Sequence, residues 1–295
     1  MKLKFWGVRG SIPSPGERTV RYGGNTTCIE VRTDANDLII LDGGTGIFPL
    51  AQTLLKELPV QAHIFNTHSH WDHIQGLPFF IPIFIPGNTI KLYAAFDPIS
   101  GEGAERIMNV QLQYSFFPVR EAEMKSRFDY VALMPSQAVT VGEAQITPIL
   151  LSHPVVNLGY RIDCNGKSIF FTGDHEPHFN IYEPGDEDYA EYQALIEEQR
   201  QAILDAIRGV DVLVADCAYT IEEYPAKKGW GHGTFDSSIQ LAKDAGVKIL
   251  YCTHHEPTRS DDDLEKVFAE ALKRQSAIIG GMDIRLAREG EEIVL

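Results

Sequence analysis

Four side chains able to hold cations fall together in Thr67-His68-Ser69-His70-Trp71-Asp72-His73. Neutral imidazoles and ionised carboxylates are the donors that Zn²⁺ and similar divalent ions take. The run directly follows AHIFN at 62–66, a strand-like stretch, so it sits at a strand-to-helix turn. There the alternate residues His68 and His70 can converge on one ion, while Asp72 and His73, turned the other way, face a second. A lone histidine would be read as a satisfied structural residue; this cluster predicts a metal centre.

Regular elements must position such a centre. Short β-rich runs at 3–6, 27–33 and 37–42 are separated by Gly, Pro, Asn and Asp clusters and predict sheet strands. Residues 47–58 carry apolar positions at helical spacing, which predicts a helix leading back to a strand at 62–67. Further strands are expected near 89–94, 144–151, 157–163, 168–172, 211–216 and 247–253, with helices over about 188–208, 234–246 and 262–275. Strand-rich and strand-helix stretches occur in both halves. No internal repeat and no Gly/Ser/Pro-rich linker interrupts the chain, so one domain over 1–295 is expected.

Composition narrows the function classes. The chain has 295 residues, of which 44% are hydrophobic and 23% charged, which suits a packed domain and excludes collagen-like or disordered chains. With 41 acidic against 26 basic residues the net charge is −15, so the mean field repels nucleic acid unless a local basic patch exists. Residues 176–199 hold eight acidic residues and no Lys or Arg, read as a solvated face, with a lid or partner surface as the functional alternative. The cysteines Cys28, Cys164, Cys217 and Cys252 are too scattered for a disulfide framework. No signal peptide or membrane span is expected, and the cytoplasm is the expected location.

The chain resembles the metallo-β-lactamase-fold hydrolases along nearly its whole length. The motif at 67–73 carries that resemblance with LDGGTG at 41–46, SHP at 152–154, FTGDH at 171–175 and TH at 253–254. The resemblance implies an α/β four-layer αββα sandwich of two mixed β-sheets flanked by helices. It further implies a first metal held by His68, His70 and His153, a second held by Asp72, His73 and His254, and Asp174 bridging them, with Asp42 bracing the metal loop. His254 is preferred to its neighbour His255 because it matches the family's Thr-His position. The donor set best fits two Zn²⁺ ions, with Mn²⁺ or Fe²⁺ accepted by the same ligand types. Water bridging two such ions would be the nucleophile.

Within the superfamily, GWGHGTFDSSIQLAKDAGVKILYCTH at 229–254 and DVLVADCAYT at 211–220 resemble the tRNase Z and small-phosphodiesterase branch. By that resemblance His232, paired with Asp216, protonates the leaving oxygen, and Asp72, His232 and Asp216 are the catalytic candidates. The acidic stretch where tRNase Z carries its tRNA-holding arm demotes tRNA, leaving a small or cyclic phosphodiester as the expected substrate. A tRNase Z-like RNA endonuclease and a lactone or thioester hydrolase are the alternatives. The glycine-rich segment 7–28, with Arg9, Ser11, Arg21 and Asn25, is expected to offer a phosphate cradle, a hairpin connection being the structural alternative. The apolar run from PFF at 78–80 is expected to line the active-site rim or a homodimer contact. His175 and His178 are expected at the surface or behind the ligands, and His63 in a structural role.

Overall fold

The strand-forming run LIIL at 38–41 has no polar member, so both of its faces need cover. In the computed structural model, which describes residues 1–96, 101 and 103–295, both are covered. Ile39 and Leu41 point into one apolar core, and Leu38 and Ile40 into another. The same alternation places Val212 and Val214 in the first core and Leu213 and Ala215 in a third.

The strands are β1 (Lys2–Gly7), β2 (Cys28–Arg32), β3 (Leu38–Leu41), β4 (Gln61–Phe65), β5 (Thr89–Ala95), β6 (Arg127–Leu133), β7 (Val139–Val141), β8 (Ala144–Leu151), β9 (Asn157–Cys164), β10 (Lys167–Phe171), β11 (Val212–Asp216), β12 (Ile249–Thr253), β13 (Asp283–Leu286) and β14 (Glu292–Val294). They form two seven-stranded sheets, β14-β1-β2-β3-β4-β5-β6 and β13-β12-β11-β10-β9-β8-β7. Each sheet joins antiparallel neighbours to a run of parallel ones: β3 to β6 in the first and β10 to β13 in the second. Helix α1 (Ile47–Leu54) buries Ile47, Leu50 and Leu54 on the outer face of the first sheet. Helices α4 (Tyr189–Ile207), α5 (Phe235–Asp244) and α6 (Asp261–Arg274) cover the outer face of the second. Two short helices, α2 (Trp71–Ile74) and α3 (Glu105–Gln111), follow β4 and β5. The layers are therefore helix, sheet, sheet, helix, as expected. Among the described residues no helix is long and apolar enough to cross a membrane.

Two expectations need correction. Helix α1 ends at Leu54 instead of running to 58. The apolar run after Leu77 is largely core: Phe80 and Ile83 are fully buried under the first sheet, while Phe79, Ile81 and Pro86 are exposed. It closes an apolar layer as well as presenting Phe79 and Ile81 to the surface.

Candidate metal centre

Parallel strands end together, and residues just past their carboxyl ends meet in one crevice. Asp42 follows β3, His68 to His73 follow β4, His153 follows β8, Asp174 follows β10, Asp216 ends β11 and His254 follows β12. The backbone bends sharply to aim them, since Asp42 and His254 adopt left-handed φ of 63° and 58°. Such a conformation costs roughly 1–3 kcal/mol and persists only when its surroundings impose it. Gly10 is one reason His254 fits, because a Cβ there would lie 2.2 Å from its ring.

The predicted ligands fall into two groups that share Asp174. In the first, His68 Nε2 and His153 Nε2 lie 3.0 and 3.1 Å from His70 Nδ1, and 3.5 and 3.9 Å from Asp174 Oδ2. In the second, His73 Nε2 is 3.3 Å from Asp72 Oδ2 and 3.2 Å from Asp174 Oδ1, and His254 Nε2 is 3.1 Å from each of the same oxygens. Donors around a tetrahedral ion with bonds of about 2.0–2.1 Å are separated by about 3.3 Å, so these spacings fit a divalent cation. The donor chemistry agrees. Three imidazole nitrogens crowd one point, and the buried atoms His73 Nε2 and Asp174 Oδ1 have no hydrogen-bond partner among the described residues. Asp174 turns one oxygen to each group, the arrangement of a bridging carboxylate.

Asp42 organises the second group. Fully buried, it accepts hydrogen bonds from Thr67 N at 2.7 Å, Thr67 Oγ1 at 2.9 Å and His73 Nδ1 at 2.7 Å, which leaves His73 Nε2 facing inward. Ser11 N donates to Asp72 Oδ2 at 2.7 Å. Burial opposes charge on His73, but Asp174, Asp72 and Asp42 outweigh it and hold its pKa well above the ordinary value. His254 is raised in the same way, chiefly by Asp174 and Asp216 against burial. In the first group burial prevails and lowers His68, His70 and His153.

His232 stands beside the second group, its ring stacked on His254 with centroids 4.7 Å apart. Its Nδ1 lies 3.0 Å from Asp216 Oδ2 and 3.7 Å from Asp174 Oδ2. Burial lowers its pKa, but Asp216 and Asp174 raise it further, to about 9. Asp216 also accepts from Ala218 N and His175 N, so its carboxylate is fixed in place. With Asp174, Asp216 and His254, His232 also forms a third cluster of ligand-type atoms.

Sequence reasoning missed Glu176. It is buried and accepts from Tyr224 Oη, Gly229 N and Gly231 N, each at 2.8 Å. The Gly231 carbonyl in turn accepts from His153 Nδ1 at 2.8 Å. One carboxylate thus anchors the loop that carries His232 and orients His153. The only advance signal was its place two residues after Asp174.

The expected phosphate cradle is corrected. Arg9 is fully buried and donates to the carbonyls of Gly23 and Arg259, with Asp261 close by; Arg21 pairs with Asp262, and Asn25 binds Glu289. Arg9 and Asn25 thus serve the structural connection and Arg21 a surface ion pair, while Ser11 alone of the four reaches the donor groups, through its amide to Asp72. His255 is buried and donates through Nε2 to Ala287 O, away from the donor groups. His175 and His178 are partly buried, and His63 Nδ1 lies 3.0 Å from Tyr93 Oη.

The model described as beta-lactamase superfamily domain matches residues 38–255. The chain belongs to that superfamily. Its similarity to a ribonuclease Z of Thermoplasma volcanium is 23% identity, covering 92% of this chain and 94% of the relative. Among solved structures, this superfamily member superposes on the metallo-beta-lactamase fold protein YhfI from Bacillus subtilis with a TM-score of 0.67, 18% identity and 99% coverage of both chains. On a diphosphatase of the PhnP family the TM-score is 0.63, with 20% identity over 100% of this chain and 97% of that one. These likenesses establish the metallo-beta-lactamase fold.

Proposed function

We propose that the chain is a binuclear metal-dependent phosphodiesterase for small or cyclic phosphodiesters. The carrying observation is the His232–Asp216 pair beside the two donor groups. His68, His70 and His153 would hold one ion and Asp72, His73 and His254 the other, with Asp174 between them. Two divalent cations there, zinc by donor type, would acidify water and take up charge on a phosphoryl group's oxygens. The chain's own residues do the rest. Asp216 ties His232 through Nδ1, so Nε2 is the atom from which a proton reaches the leaving oxygen, a contribution typically worth ~10² to 10⁴ in rate. A thioester, whose thiolate departs as a stable anion, does not require that donor.

The relatives named ribonuclease Z favour a second reading, an RNA endonuclease. Against it, the stretch 176–199 offers no Lys or Arg to a phosphate backbone. A panel on the metal-loaded protein decides: bis(p-nitrophenyl) phosphate, cyclic nucleotides, a lactone, a thioester and precursor tRNA. The phosphodiesters should turn over fastest. Precursor tRNA cleaved efficiently at physiological salt, or an acyl substrate outrunning every phosphodiester, would overturn the proposal.

A further inference from the structure

A cavity of about 940 Å³ opens on the first donor group, its wall including His68 and His153. The rest of the wall is mainly apolar, with Ile107 and Val110 from α3, Leu150 from β8 and Ile203 from α4. Among its described lining residues there is no Asp or Glu, in a chain with 41 of them. Acidic side chains cover this protein generally, whereas the described lining carries Arg106 and no carboxylate. The lining also includes neither His232 nor Asp216. His232 instead packs on the lining residue His153, with ring centroids 5.6 Å apart, so one substrate can meet the proton donor with one group and fill the cavity with another.

Resting on the phosphodiesterase reading, we infer that this cavity binds the ester substituent that stays on phosphorus, and that this substituent is a bulky, largely apolar alkyl or aryl group. Specificity then resides in the retained group, while the leaving group meets His232. A volume of this size lies at the upper end of small-molecule pockets, far more than a methyl ester needs.

The test uses the metal-loaded full chain and p-nitrophenyl phosphodiesters whose second ester group is methyl, butyl or phenyl. The leaving group stays constant and needs little protonation, so His232 drops out of the comparison. KM should fall on the order of 10- to 100-fold from methyl to phenyl, as burial of an apolar group of that size implies. Val110 and Leu150 are 39% and 53% exposed and so tolerate charge. Val110→Glu and Leu150→Glu should collapse the methyl-to-phenyl KM ratio toward one, while Val294→Glu, at an exposed edge strand outside the cavity, keeps it. Calorimetric binding of methylphosphonate and phenylphosphonate gives a readout without turnover. Diesters hydrolysed with equal KM, or a ratio unchanged in both cavity variants, would overturn the inference alone. A strong preference for phenylphosphonate with no diester turned over would overturn the phosphodiesterase reading and keep the cavity. Equal binding of the two phosphonates with no turnover would overturn both.

Discussion

The two donor groups are built differently although they share Asp174. The second takes Asp72 and His73 from α2 and His254 from the end of β12, is buried throughout, and is braced by Asp42 and by the Ser11 amide. The first is richer in imidazole, and His153 takes its orientation from Gly231, in a loop anchored by Glu176. One group is braced by a buried carboxylate bonded directly to a ligand ring, and the other through the Gly231 carbonyl of a loop that Glu176 ties down. The first should therefore be the more easily perturbed, and the second the more sensitive to protons.

The shared carboxylate sets the upper limit. Asp174→Ala should release both cations and lower phosphodiester turnover by on the order of 10⁴ or more, read by metal analysis beside kcat/KM. If one equivalent stays bound, the groups are more independent than drawn. His232→Ala comes next: alkyl or nucleoside diesters should lose ~10² to 10⁴ in kcat and p-nitrophenyl esters much less, with metal content unchanged. Equal losses on both would make His232 a positioning residue, and lost metal would make it a ligand.

The bracing residues sharpen the contrast. Asp42→Asn should weaken one of the two cations by roughly 10- to 100-fold in a chelator competition, through His73. Glu176→Gln should weaken the other, by around tenfold, and carry a small version of the His232 leaving-group effect. The same cation weakened by both variants would erase the distinction between the group braced by Asp42 and the group braced through Gly231. The smallest effect is on pH. His73 and His254 have pKa values raised by Asp174 and its neighbours, so a cation entering the second group competes with protons up to a higher pH than it would at ordinary imidazoles. Affinity at the second group should therefore depend on pH more steeply, and to higher pH, than at the first, whose imidazoles are lowered by burial. Isothermal titrations at several pH values, counting protons released, would show more protons displaced at one site than at the other.

What the sequence disclosed depended on how far apart the partners lie. His68 to His73 are adjacent and follow an apolar strand, so both their type and their placement were readable. The buried strands were readable because LIIL and VLVAD lack polar interruptions. β6, β7, β13 and β14 were missed; they are the four edge strands of the two sheets, mostly exposed or half-exposed, and so lack the unbroken apolar runs of the central strands. Glu176 was lost in an acidic run because its partners lie 48 to 55 residues away. Arg9 misled for the same reason. A glycine-rich loop with an arginine looks like an anion cradle until Arg259 and Asp261, about 250 positions on, take up the guanidinium.

The central claim is two cations shared through one carboxylate, and metal content per chain tests it most directly. Wild-type protein, His153→Ala, His254→Ala and Asp174→Ala should be loaded alike, desalted and measured by elemental analysis. The account predicts two equivalents for the wild type, one for each histidine variant and none for Asp174→Ala. Two equivalents retained by His153→Ala and His254→Ala alike, or a wild type that never exceeds one, would contradict it.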